Sequence, residues 1–272
     1  MAAKLLPEFM DVDGKVILVT GGAVGIGAGL VKELLSQNAR HVAFLDVLER
    51  EGGALESELL NKFGALRARF IKCDISDEGQ LSAAYKLVLD KYRRLDAVVN
   101  NAAVMSEGDY KRMVDVNFTA TVTSTFKALE VMSVDKGGSG GVVLNVSSLI
   151  ALKPQENLHF PVFAATKAAV LHFSNQIATQ QSYSKTKVRI VTACLGLTDT
   201  ALLHRHNFER HDTNSLVAQV PEKQRVTSAV SGIMFVIRRA ESGSTWIIAD
   251  DEPASDVTST VREGFRSVAT AI

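Results

Sequence analysis

Glycines crowd the point where the first apolar run of the chain ends. The segment Thr20-Gly21-Gly22-Ala23-Val24-Gly25-Ile26-Gly27 follows the run at 16–19 and opens into a stretch carrying Leu30 and Leu34 at helical spacing. Glycines here permit a tight turn and let the backbone approach a pyrophosphate at a helix N-terminus, where amide groups and the macrodipole favour an anion. Such a turn can equally do no more than join a strand to a helix. Nineteen residues past Gly27, Asp46 ends the second apolar run. A carboxylate there accepts hydrogen bonds from an adenosine ribose and repels a 2′-phosphate, which favours NAD over NADP. Its plainer alternative is a turn residue that caps the next helix. Asp74 and Asn100 also follow apolar runs, at the sheet edge where ligands bind in doubly wound folds.

These residues need a scaffold, and the remaining pattern supplies one. Short β-branched runs at 16–19, 42–45, 69–72, 97–99, 142–146, 188–192 and 245–248 alternate with stretches of helical period, such as Leu81/Tyr85/Leu89. Most of these runs have no polar alternate face, as expected of strands covered on both sides. The alternation predicts an α/β fold: a single-domain, Rossmann-like, doubly wound parallel sheet of about seven strands with helices on both faces. The expected domain is 1–272, with an extension at 1–13, a substrate lid at 197–225 and a tail at 250–272. No internal repeat interrupts it. Gly137-Gly138-Ser139-Gly140-Gly141 reads as a turn before a strand.

Composition narrows the function classes. The chain has 272 residues, 46% of them hydrophobic, and 30 basic against 30 acidic side chains. That suffices for a real core and offers no basic excess for nucleic acid. No apolar run approaches membrane-spanning length, and the opening MAAKLLPEFM is too short and polar for a secretory signal. Cys73 and Cys194 are too few for a disulfide framework and fit a reducing compartment. The expectation is a cytoplasmic protein without nucleic-acid or membrane partners.

Taken together, Thr20-Gly21-x-x-x-Gly25-Ile26-Gly27, Cys73-Asp74-Ile75, Asn100-Asn101-Ala102-Ala103, Asn117, Asn145-Val146-Ser147-Ser148 and Ala165-Thr166-Lys167 resemble the short-chain dehydrogenases/reductases. The likeness runs from Gly14 to about Ile248. Gly140 to Ser148 and Gly243-Ser244-Thr245-Trp246 suggest, more weakly, the branch of NAD-dependent hydroxyprostaglandin dehydrogenases and insect alcohol dehydrogenases. The resemblance implies NAD held by Gly21, Gly25, Ile26, Gly27, Asp46, Asp74, Ile75, Asn101, Ala102, Lys167 and Thr198. It also implies a catalytic group of Asn117, Ser148, Lys167 and a tyrosine four residues before the lysine. In that scheme the serine holds the substrate oxygen, the asparagine a water relay, and the lysine lowers the tyrosine's pKa. A homodimer or homotetramer, paired through the helix that carries Lys167, is implied as well.

The tyrosine is missing: position 163 is Phe163. A phenyl ring fills the same space and carries no exchangeable proton. Three readings follow: a residue engineered to trap a complex, a natural NAD- or ligand-binding pseudoenzyme or non-redox enzyme, or a proton supplied from elsewhere. His159 has a suitable pKa but nothing aims it, and Tyr183 lies beyond the helix of Lys167. Further departures are Ala103 for a glycine, Leu195-Gly196 for proline-glycine, and a longer segment between Ser148 and Phe163. His204, His206, Glu209, His211 and Asp212 lack a metal-ligand register and read as a solvated loop. The segments at 104–105, 149–152 and 197–208 are rich in Leu, Met and Phe. They point to a small hydrophobic alcohol or carbonyl substrate.

Overall fold

The computed structural model describes residues 9–153, 160–203 and 223–270. All seven expected runs are strands: β1 Val16–Thr20, β2 His41–Asp46, β3 Ala68–Lys72, β4 Ala97–Asn100, β5 Gly141–Ser148, β6 Val188–Leu195 and β7 Thr245–Ile248. The sheet has an eighth member, the two-residue β8 (Ser255–Asp256), which pairs antiparallel with β7. Its order is β3-β2-β1-β4-β5-β6-β7-β8, parallel up to β7. The count of about seven is thereby corrected to eight, because two exposed polar residues leave no apolar trace. The stretch expected as a tail at 250–272 carries β8 and a helix.

Strand order reverses direction between β1 and β4, which opens a crevice beyond their carboxyl ends. Alternate residues of each strand serve opposite faces. Ile17 and Val19 join one apolar cluster with Leu30 and Leu34 of α1 (Gly25–Ser36), Leu55 and Leu59 of α2 (Glu49–Phe63), and Ile233 and Val236 further along. Val16 and Leu18 join another, with Leu81 and Tyr85 of α3 (Glu78–Tyr92). That layer also holds α5 (Ala120–Met132), reached from the short α4 (Tyr110–Val114) through a π-helical turn at Asp115–Thr119. Then come α6 (Pro161–Ile177), α7 (Gln180–Thr186), α8 (Val226–Arg239) and α9 (Thr258–Ala269). The run Ile233–Ile237 lies in α8 and, apart from exposed Phe235, is buried core.

A buried polar chain crosses the second layer. Asn145 Oδ1 accepts from Asn100 Nδ2 at 2.8 Å, and Asn145 Nδ2 donates to Ser174 Oγ at 2.9 Å. Ser124 Oγ donates to Asn100 Oδ1 at 2.6 Å, and Tyr85 OH donates to the Ser124 carbonyl at 2.9 Å. Buried amides with partners are tolerated, while a partner left alone carries its full desolvation cost. Asn145→Leu takes one partner from each of Asn100, Thr125 and Ser174, while Asn100 keeps Ser124 and Thr125 and Ser174 keeps the Val170 carbonyl. Chemical denaturation should show a loss of about 2–4 kcal/mol with the helical circular dichroism retained; an unchanged midpoint would show that the network contributes nothing.

Candidate functional site: a cleft at the sheet's carboxyl edge

The cleft beyond β1 and β4 has a volume of about 710 Å³. The glycine turn forms its floor. Gly21 has φ +65° and its α-carbon faces Ala102, where a Cβ would stand 2.7 Å from Ala102 Cα. A Cβ on Gly27 would lie 1.9 Å from the Gly21 carbonyl, so the turn and the first helical turn can pack only without one. Thr20, absent from the expected site, fixes this turn: its Oγ1 accepts from the amides of Asn101 and Ala102, both at 3.1 Å. Asn101 Nδ2 donates to the carbonyls of Thr20 and Gly21 at 3.0 and 3.1 Å. α1 begins after Val24 with no side-chain cap and no acid in its first turn. Its N-terminal amides therefore face the cleft ready for an anion.

Asp46 sits at the end of β2 beside that turn. Its Oδ2 accepts from Ala23 N at 3.0 Å and its Oδ1 from Leu48 N at 3.1 Å, so it orders the local backbone and also lines the cleft. Asp74 is paired with an arginine that the sequence did not single out: Arg112 NH2 donates to Asp74 Oδ2 at 2.6 Å. Burial pushes the Asp74 carboxyl up, but hydrogen bonds from Arg112 and Ser76 outweigh it and hold the acid below its ordinary value. Nothing local marks Arg112; it lies 38 positions away on α4.

At the other end stand Ser148, Phe163 and Lys167. Ser148 closes β5, with Oγ donating to the Leu195 carbonyl at 3.3 Å and accepting from Ile150 N at 3.3 Å. Phe163 and Lys167 are one helical turn apart on α6, which places Nζ 5.7 Å from the ring centroid. The ring is buried against Met105 and Met113, with Ile150, Phe160 and Leu202 packed around it. Lys167 Nζ donates to the Val146 carbonyl at 3.0 Å. Burial lowers its pKa to about 8. Both cysteines are buried, and burial raises each thiol to about 12.

Every residue expected to bind the dinucleotide lines this one cleft, as do Ser148 and Phe163. Asn117 does not. It is buried behind the wall, where Oδ1 accepts from Val104 N at 2.8 Å and Nδ2 donates to the Val104 carbonyl and, at 3.3 Å, to Thr166 Oγ1. Asn100 also faces inward, into the polar chain described above. Thr198 reaches the cleft, but its hydroxyl donates to the Gly196 carbonyl and accepts from Gln224 Nε2 at 2.9 Å. Of the expected apolar segments, Val104, Met105, Leu197, Leu202 and Leu203 line the cleft, whereas Leu149 to Leu152 do not. Among the described residues no group of three or more His, Cys, Asp or Glu is placed to hold a metal. His159, the histidine-rich run from His204 to Asp212, and Phe208 lie outside the described residues. Tyr183 lies in α7, its ring under Lys187 Nζ, and does not line the cleft.

A switch-point crevice with a glycine floor, an uncapped helix end and a strand-terminal carboxylate defines a Rossmann-type nucleotide-binding protein with a hydroxyl–lysine pair beside the nucleotide track. Residues 15–211 match the family model for short chain dehydrogenase. The chain is 36% identical over 194 residues to the 15-hydroxyprostaglandin dehydrogenase [NAD(+)] of Macaca fascicularis, covering 71% of this chain and 72% of the relative. It is 27% identical over 242 residues to alcohol dehydrogenase 2 of Ceratitis cosyra, covering 88% and 92%. Among solved structures it resembles the 3-ketoacyl-(acyl-carrier-protein) reductase of Brucella melitensis complexed with NADH, with a TM-score of 0.74 at 23% identity over 87% of this chain and 97% of that one. The chain belongs to the short-chain dehydrogenase family of oxidoreductases.

The depressed lysine makes a pH signature. An unfolded lysine titrates near 10.4, so between about pH 8 and 10.4 the unfolded chain holds more protons than the folded one, and stability rises with pH across that window. Relative to Lys167→Met, the native chain should gain about 3 kcal/mol between pH 7.5 and 10.5. Paired denaturation curves at the two pH values test this, and a constant difference would mean that the amine is not desolvated.

Proposed function

We propose that the chain is an NAD-dependent oxidoreductase acting on a hydrophobic alcohol or its ketone or aldehyde, slowed in this form at proton transfer by Phe163. The observation that carries the reading is the meeting, in one cleft, of an uncapped helix end and Asp46 with Ser148 and Lys167. The NAD(+) in the name of the macaque relative and the NADH in the Brucella complex support the choice of cofactor. In this arrangement the glycine turn and the α1 amides would hold the pyrophosphate, and Asp46 the adenosine ribose. Ile75, Asn101 and Ala102 line the track between the two ends, and Thr198 and Lys167 border the nicotinamide end. Bound NAD would supply the hydride acceptor. Ser148 would turn its hydroxyl from the Leu195 carbonyl to the substrate oxygen. The walls of Val104, Met105, Leu202 and Leu203 suit an apolar body better than a sugar.

Removing a hydroxyl proton needs a base within hydrogen-bond reach, and the Phe163 ring offers none. A second reading, a binding protein without turnover, draws support from the same ring: it is packed into its own apolar cluster with the two methionines. We further assign the chain to the cytoplasm as a single domain forming a homodimer or homotetramer. Balanced charge and two unpaired buried thiols support the compartment, and the assembly rests on the family resemblance, in which the helix carrying Lys167, here α6, is the paired one. No helix among the described residues is long and apolar enough to cross a membrane.

Two experiments test the reading. Phe163→Tyr should raise NADH formation from a panel of hydrophobic alcohols by about 10²–10⁴-fold, with NADH affinity little changed in a fluorescence titration. If both chains bind NADH and neither turns over, the binding-protein reading replaces this one. Asp46→Asn removes the charge that repels a 2′-phosphate and keeps an acceptor for the turn. It should shift the NADP(H):NAD(H) affinity ratio about tenfold toward NADP(H); an unchanged ratio would confine Asp46 to ordering the turn.

A further inference from the structure

α6 begins without a cap of its own. Phe160 stands at the cap position with a side chain that offers no acceptor, and Pro161 has no N–H to satisfy. The amide of Ala164 reaches the Phe160 carbonyl at 3.0 Å. The two amides between them are taken by one side chain from far away: Phe163 N donates to Glu107 Oε1 at 3.0 Å and Val162 N to Glu107 Oε2 at 3.2 Å. A carboxylate on a helix N-terminus makes charge-assisted bonds and complements the macrodipole.

Glu107 also has a second connection. It opens the short turn Glu107–Asp109, directly after Val104, Met105 and Ser106, which line the cleft. Val104 is in turn held through both its amide and its carbonyl by Asn117, whose Nδ2 reaches Thr166 on the next turn of α6. The cleft wall and α6 are therefore tied at two places one turn apart, and position 163 lies at the first of them, its own amide held by Glu107. One tie uses the carboxylate of Glu107; the other uses an amide and a hydroxyl.

We propose that Glu107 is a positioning residue that fixes the register of α6 against the cleft wall, and with it the orientation of side chain 163 over Lys167. It rests on the reading of position 163 as the proton-transfer site. Glu107 touches no reacting atom. Its role is to keep a residue at 163 within reach of both the lysine amine and the substrate oxygen, where a small misplacement is costly.

The test uses a phenol as reporter. Phe163→Tyr adds one titratable tyrosine, whose phenolate is read by difference absorbance against the native chain with no substrate present. The phenol and the Lys167 amine titrate as a coupled pair, so its midpoint should lie below that of the same phenol in Phe163→Tyr/Lys167→Met, which shares the burial and lacks the amine. Adding Glu107→Gln or Glu107→Asp should then raise that midpoint by about half a unit or more, as the ring loses the amine. kcat for any alcohol oxidised should fall about tenfold with the KM for NAD unchanged. The sign decides the matter for Glu107→Gln. Removing a nearby negative charge without movement would lower the midpoint, so a fall, or no change with only a lower melting temperature, overturns the proposal. A midpoint in Phe163→Tyr no lower than that of Phe163→Tyr/Lys167→Met overturns it too, because there would be no arrangement for Glu107 to hold. A low midpoint without alcohol oxidation sinks the dehydrogenase reading alone, and the titration still decides for or against Glu107.

Discussion

The sheet is apolar on both faces, and this constraint organises the molecule. β1 is buried along its whole length, with alternate residues serving the two helical layers. A strand so covered has no face on which to present chemistry. Its polar groups must appear where the strand stops, and there they meet the polar ends of its neighbours. Thr20, Asp46, Asn100 and Ser148 each end a strand, and Lys167 enters the same edge from α6. Two of these four polar ends face the cleft and the other two became structural. Thr20 locks the glycine turn, and Asn100 joins the buried chain through Asn145. Ending a strand therefore makes a residue a candidate for the site, but side-chain partners decide whether it stays one.

The same partition explains the charged groups at the edge. Asp74 is neutralised by Arg112 and so is fixed as an anion in a well-defined pose. Lys167 has no such partner among the described residues. It meets one carbonyl and the face of an aromatic ring, and burial weakens its hold on the proton. A cation facing a π-cloud and a carbonyl is only partly compensated for lost water. Phenylalanine preserves the ring and the packing at position 163, so the lysine keeps its environment even without a phenol. The architecture of the cleft is thus separable from its proton chemistry.

Much of this was legible in the sequence because the sheet's apolar runs are strong, local signals. The seven parallel strands follow from their apolar runs, α1 from its helical spacing, and the glycine turn from residue type. β8 was not legible, since Ser255 and Asp256 are exposed and polar. α9 was also missed, because it buries no side chain and its 250–272 context reads as a tail. The strand-ending residues of the cleft were found, whereas Arg112 and Glu107 were not. Each acts on a residue 38 or more positions away, and nothing in its own neighbourhood distinguishes it from a solvated charge. Asn117 was found by resemblance alone, and the structure places it behind the wall, bonded to Val104 and Thr166.

These omissions share a cause. The groups that local pattern reveals are those that would contact a ligand, since turns, strand ends and helix starts have local signatures. The groups that hold those contacts in register are long-range and have none. Glu107 at the start of α6, Asn117 between Val104 and Thr166, and Gln224 on the Thr198 hydroxyl all belong to this second kind. They tie the wall to α6 beside the phenyl ring, and the segment after β6 to Gln224. Changing that ring alters one proton, whereas changing the frame alters the distance over which any proton must move. Under the proposed reading, a chain with this frame and no phenol is one substitution from the constellation that the family resemblance implies.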